Sequence, residues 1–264
     1  MKPHCLPALA VSALALMLPA CSSASEVEDA LEVNGAAAAG VGAKAVAVSE
    51  ETEVYSFEFS YPAAAAAIPA LKQRLDADLE ERKATLLAEA QEGKQFAAES
   101  GYPYNAYGFS KSYEVVADLP RFLSLSESFG GYSGGAHGYY GSGGLVWDRE
   151  AGKVMAATDF FTSPTALEAA LGERYCGALN RERAKKREGY EGPSGMFEDC
   201  VGIDAVTLLP GSSDKQHFDR IGLIADPYVA GPWSEGSYEV TLPVDAALLD
   251  AVKPEYRAVF TTGS

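Results

Sequence analysis

Residues 54–61 constrain the fold most. Tyr55, Phe57, Phe59 and Tyr61 alternate with Ser56, Glu58 and Ser60, a period of two that places aromatic rings on one face of a β-strand. A face so apolar must be covered, and the next segment offers the cover. Ile68, Leu71, Leu75, Leu79, Leu86 and Ala90 recur at helical spacings, with Lys72, Arg74, Asp76, Glu80 and Lys83 on the remaining surface, predicting an amphipathic helix that ends near Gly93. Residues 109–118, 121–133 and 139–148 read as successive strands, and the turn residues 148–153 join the last of them to a strand over 154–157 as a hairpin. A second helix follows, with Ser163 as N-cap, Pro164 at its first position and Leu167, Leu171, Tyr175 and Leu179 as its apolar stripe. Its basic tail, residues 181–187, reads as a solvated last turn whose cations answer the helix dipole. Strands are expected at 203–209, 220–225 and 238–242, a short helix near 243–249, and a strand over 256–260 that pairs back. The pattern is α+β: antiparallel sheets packed with two main amphipathic helices.

The chain opens with Lys2 and an apolar run over residues 6–18, a signal-peptide pattern too short for a lasting transmembrane helix. Leu18-Pro19-Ala20-Cys21 resembles a bacterial lipobox, which makes residues 1–20 a lipoprotein signal peptide and Cys21 the lipidated N-terminus, joined to the membrane by its acyl chains. The expected location is the bacterial cell envelope, facing the periplasm or the cell exterior, on the outer membrane in a Gram-negative host. Residues 21–50 are rich in Ala, Gly and acid and hold no aromatic residue. They read as a flexible tether with a reach of roughly 30 Å. The remainder, residues 51–264, reads as one domain or as two subdomains meeting near residue 160. With Cys5 in the signal and Cys21 acylated, Cys176 and Cys200 remain, an even pair in an oxidising compartment that points to a disulfide.

The sequence carries 21 Lys+Arg against 37 Asp+Glu, a formal charge of −16. Nucleic-acid binding needs a surplus of cations and is excluded as an expectation. Catalytic signals are weak. Gly131-Tyr132-Ser133-Gly134-Gly135 fits the G-x-S-x-G pattern, but two glycines follow the Ser where a nucleophile elbow needs a helix. His137 has no HxxxH or HExxH partner. No metal, cofactor or catalytic residue is assigned. The Gly-rich segment is read as a candidate ligand-binding loop made of Tyr132, Ser133, Gly134, Gly135, His137 and Tyr139.

Several motifs resemble one family. Residues 132–138 (Tyr-Ser-Gly-Gly-Ala-His-Gly), 147–153 (Trp-Asp-Arg-Glu-Ala-Gly-Lys), Asp159-Phe160-Phe161, 226–231 (Asp-Pro-Tyr-Val-Ala-Gly) and 235–243 are similar, in kind and order, to the extracytoplasmic part of the anti-sigma factor RsiV and to the N-terminal region of PdaC-type peptidoglycan deacetylases. The resemblance implies an α+β domain of mostly unassigned function that binds a protein or cell-wall ligand, a lysozyme-like basic protein or peptidoglycan. An acidic surface would steer a basic protein toward it. The metal-binding signature of the deacetylase domain is missing, so its catalysis is not implied. The alternative is a cell-wall hydrolase or deacetylase using His137 and nearby carboxylates.

Overall fold

The aromatic alternation at 55–61 sets the first layer. The computed structural model describes residues 42–188 and 197–263; the expected signal peptide, Cys21 and the tether up to residue 41 lie outside them. The first sheet has six strands in sequence order, β1 (Val46–Glu51), β2 (Tyr55–Tyr61), β3 (Tyr107–Asp118), β4 (Phe122–Tyr132), β5 (Tyr139–Asp148) and β6 (Lys153–Met155). All neighbours are antiparallel except β2 and β3, which run parallel. A parallel pair needs a crossover, supplied by the short α1 (Ala63–Ala66) and the 32-residue α2 (Pro69–Ser100). Leu71, Leu75, Leu79 and Leu86 of α2 are buried with Phe57, Phe59 and Tyr61, the cover that the sequence demanded.

Four local expectations change. Residues 46–51, read as the end of the tether, form β1: Val46 and Val48 pack on the α2-side core, so ordered structure starts before residue 51. Helix α2 runs past Gly93 to Ser100 and is closed by Gly101 at φ 75°. Gly93 is no terminator; a Cβ there would lie 2.3 Å from the Tyr107 hydroxyl, so the glycine lets β3 approach the helix. The third change is at residues 256–260, which form a 3-10 turn (Pro254–Val259) and a single bridge from Phe260 to Phe218.

The second sheet is β7 (Thr207–Gly211), β8 (Arg220–Ala225) and β9 (Tyr238–Pro243), all antiparallel. Residues 203–205, expected as the start of β7, form a 3-10 turn. Helices α3 (Pro164–Lys186) and α4 (Ala246–Ala251) close the far side. Ser163 caps α3 by accepting from the Ala166 amide, with Pro164 in the first turn and the expected stripe buried. Residues on both sides of position 160 share one core: Phe122, Val146 and Met155 from the first sheet pack with Leu171, Tyr175, Ile221 and Leu223.

Cys176 on α3 is bonded to Cys200, with Cα atoms 5.2 Å apart and a sequence separation of 24. Closing a loop of that size removes unfolded-state entropy worth about 3 kcal/mol. A Cys176→Ser/Cys200→Ser double variant should therefore unfold at lower denaturant with a free-energy loss near that size, measured by guanidinium titration under non-reducing conditions.

Candidate functional site

One face of the first sheet changes character along its strands. Near the ends of β4 and β5, Phe122 and Val146 on this face are buried under the second sheet. Farther along, the same face carries Ser in place of apolar residues. The cross-strand register pairs Ser60 with Ser112, Ser112 with Ser128, and Ser128 with Ser142. Four serines thus lie in one row across β2, β3, β4 and β5. Strands are about 4.8 Å apart, so the row is about 14 Å long. The adjoining row runs Ser49, Glu58, Ser110, Gly130, Tyr140.

These two rows floor a groove of about 670 Å³, walled by Ile224, Asp226, Ser237 and Glu239 of the second sheet and its loops. Binding clefts fall in this size range. Asp226 is fixed by accepting from the Ser142 amide at 2.9 Å and its hydroxyl at 2.8 Å. Of the four serines in the row, Ser142 alone has a side-chain partner among the described residues. Lys111 borders the groove, but its ammonium is held by Asp78 of α2 at 2.6 Å and Glu127 at 3.1 Å. Among the described residues neither Glu58 nor Glu239 is paired with a cation, so the lining is acidic.

The expected loop sits at the rim of this groove. Tyr132 ends β4, Ser133, Gly134, Gly135 and His137 form the hairpin tip, and Tyr139 opens β5. No helix follows Ser133. Gly134 has φ 80°, a conformation that favours glycine. The His137 ring lies 4.8 Å from that of Trp233, and Tyr140 meets the same indole edge-on at 6.2 Å. His137 Nδ1 is 2.8 Å from the Gly138 carbonyl oxygen. The only histidine–carboxylate pair among the described residues is His217 with Asp214. No three His, Cys, Asp or Glu side chains are grouped for a metal among the described residues.

The motifs at 226–231 and 235–243 meet the hairpin tip here. Asp226-Pro227-Tyr228-Val229 is a tight turn closed by the Val229 amide donating to the Asp226 carbonyl at 3.0 Å. Tyr228 takes φ 71° at the position where such a turn usually has glycine, and its side chain is 59% exposed. An exposed aromatic held in a strained conformation is a pointer to function. Tyr139, Tyr140, Tyr228 and Trp233 are all large exposed hydrophobic residues, and three of their neighbours in sequence belong to the motifs above.

The basic tail of α3, expected to be solvated, holds this rim in place. Arg183 is buried and donates to the carbonyls of Ala230 and Asp199, each at 3.0 Å. Lys186 donates to the Glu235 and Ser237 carbonyls, and Arg187 forms a two-bond pair with Glu235 at 2.8 and 2.9 Å. That guanidinium holds the Glu235 carboxyl below the usual carboxylate range, against the opposing pull of burial. Burial, reinforced by Glu235, pushes the Tyr238 phenol up to about 12. The residues that sequence reasoning missed are the serine rows, Glu58, Glu239 and Trp233. The signal of the rows was present as Ser or Glu at positions 56, 58 and 60 and as Ser at 110, 112, 124, 126 and 128.

Residues 48–140 match the family model described as Deacetylase PdaC, a span from β1 to the start of β5 that holds three of the four serines in the row. Two solved structures are similar. A DUF3298 family protein from Pseudomonas aeruginosa PAO1 shares 18% identity at a TM-score of 0.50, covering 82% of this chain and 95% of that one. A DUF3298 family member from Bacteroides fragilis NCTC 9343 shares 16% identity at a TM-score of 0.47, covering 76% and 89%. At such identity the Pseudomonas likeness concerns the fold alone. No curated protein matches the chain. Over residues 48–140, then, the chain is similar to the PdaC family model, and its fold is similar to that of a DUF3298 family protein.

Proposed function

We propose that this chain is a non-catalytic lipoprotein of the bacterial cell envelope, anchored through lipid on Cys21, whose acidic domain binds a wall polymer or a basic, lysozyme-like protein. The observation that carries this reading is the acidic, hydroxyl-lined groove with an exposed aromatic cluster at its rim. Aromatic side chains with one apolar face and little rotamer entropy are the usual anchors of a binding surface. The competing reading, a hydrolase or deacetylase, would use His137 as its acid–base group. The ring instead lies tilted against Trp233 and turns Nδ1 to a backbone carbonyl, contacts that suit a binding rim.

Calorimetric titration of the full chain with lysozyme and with soluble peptidoglycan fragments, at low and at physiological salt, tests the reading. Saturable binding that survives physiological salt is expected, because exposed charge pairs alone are screened there. Trp233→Ala should weaken it by at least about tenfold, the loss usual for an aromatic anchor. Release of acetate or of cleaved fragments that depends on His137 would overturn the proposal in favour of an enzyme.

A further inference from the structure

We infer that the groove is a binding site for a glycan strand carrying free amino groups, that is, a polymer of partly deacetylated amino sugars. The inference rests on the binding reading above and goes further by naming the chemistry of the ligand. Three observations converge on it.

Six of the nine residues in the two rows of the floor are serines, and Ala47 of β1 continues the first row beside Ser60. Ser60, Ser112 and Ser128 stand in register with no side-chain partner among the described residues. A hydroxyl both donates and accepts, so such a row can meet a chain of sugar hydroxyls whatever their orientation. Gly130 keeps the second row low between Ser110 and Tyr140: a Cβ there would sit 3.4 Å from the Ser110 hydroxyl and 3.5 Å from the Tyr140 Cβ.

The charge of the lining selects among polysaccharides. Glu58 and Glu239 approach the groove from opposite sheets, and Asp226 adds a third carboxylate. The nearest cation, Lys111, is neutralised on the helix side. Carboxylates on both walls of one groove repel an acidic glycan and attract an ammonium. An acetylated sugar offers no charge for them to meet. At the rim, Tyr140, Trp233 and His137 form a contiguous aromatic surface. Such a surface stacks on the C–H face of a pyranose and has a further attraction for a cation. A basic protein could also satisfy the carboxylates, and the titration with lysozyme separates that outcome.

The test uses the full chain and the fluorescence of its tryptophans. Trp147 is buried and Trp233 lies at the rim, so a change on binding reports Trp233. Short β-1,4 oligomers of glucosamine, the same oligomers N-acetylated, and lysozyme are titrated separately at physiological salt. The glucosamine oligomer should bind at least about tenfold tighter than the acetylated one, a difference expected of two carboxylates meeting ammonium groups. Glu58→Gln/Glu239→Gln should bring the two oligomers to the same affinity. Ser112→Val/Ser128→Val, which keeps strand-forming residues on the sheet, should weaken both oligomers together. Matching circular dichroism and melting temperatures establish that the variants fold.

Equal affinity for the two oligomers, or no effect of either double variant, overturns the inference. If lysozyme binds and neither oligomer does, the inference falls and the ligand-binding reading stands. If none of the three binds, both fall.

Discussion

Phe160→Ala should lower the free energy of unfolding by about 4 kcal/mol, among the largest losses any single truncation in this chain would produce. Phe160 is completely buried. Its ring meets Phe122 of β4 at 5.1 Å, Tyr256 at 5.1 Å, Phe260 at 5.3 Å and Phe218 at 5.5 Å. Two of these contacts are edge-on within 10° of perpendicular, Phe122 at 82° and Tyr256 at 88°, the arrangement that adds an electrostatic gain to burial. Removing the ring leaves a void walled by four rigid aromatics from three separate stretches of chain, and such walls collapse poorly. The cavity cost therefore adds nearly in full to the lost transfer energy.

A chain of this size loses about 2–4 °C of melting temperature per kcal/mol, so the variant should melt about 10 °C lower. Phe96→Ala is the control, since Phe96 is 61% exposed near the end of α2; it should change stability by about 0.5 kcal/mol or less. A Phe160→Ala variant as stable as the control would mean that the second sheet is not held to the first through this cluster. The consequence reaches the groove, because the wall that carries Asp226 and Glu239 belongs to that second sheet.

What was legible in the sequence follows a physical divide. Elements specified by their own residues were read well. The β2 alternation, the α3 cap at Ser163 with Pro164 behind it, and the β5–β6 turn each need only local chemistry, and each appears in the structure. Elements decided by a distant partner were misread. Gly93 looks like a helix end because glycine is a poor helix former, yet Tyr107, fourteen positions on, requires it inside the helix. Residues 181–187 look solvated because they are basic, yet loops at 197–200 and 230–237 supply carbonyls and a carboxylate for three of them.

The site divides in the same way. The hairpin tip stood out by its glycines, and the family-like motifs at 226–243 stood out by resemblance. The serine rows did not. Each serine is unremarkable in its own strand, and only the register of four strands makes a line of them. A pattern search for apolar periodicity finds the face that packs on α2 and is silent about the opposite one. Alternation carries information on both faces of a strand, and here the polar half of it was the half that marks the groove.

Asp148→Asn should cost about 3–4 kcal/mol at neutral pH, and the cost should shrink in acid. Asp148 lies in the 147–153 motif and is 2% exposed. Its Oδ1 accepts from the Arg121 Nε at 3.1 Å and from the amides of Glu150 and Ala151 at 2.9 and 3.1 Å, while Oδ2 accepts from the Arg121 Nη2 at 2.7 Å. The carboxylate thus closes the β5–β6 turn, in which Gly152 takes φ 63°, and ties it to the start of β4. An amide in its place turns an NH₂ group toward the guanidinium and strands a buried donor pair, the circumstance in which breaking an ion pair is costly. Burial alone would raise the Asp148 pKa, but Arg121 and the two amides outweigh it and hold the carboxyl below its usual range. A pKa lower in the folded than in the unfolded chain means stability that is fully present above the unfolded value of about 4 and is lost as pH falls through the folded one. The variant has no such proton to take up. The gap in unfolding free energy between the native chain and Asp148→Asn, measured by denaturant titration at pH 7 and again near pH 3, should therefore narrow at the lower pH. A gap that stays constant would show that the hydrogen-bond geometry at Asp148 holds this turn and that its charge contributes nothing.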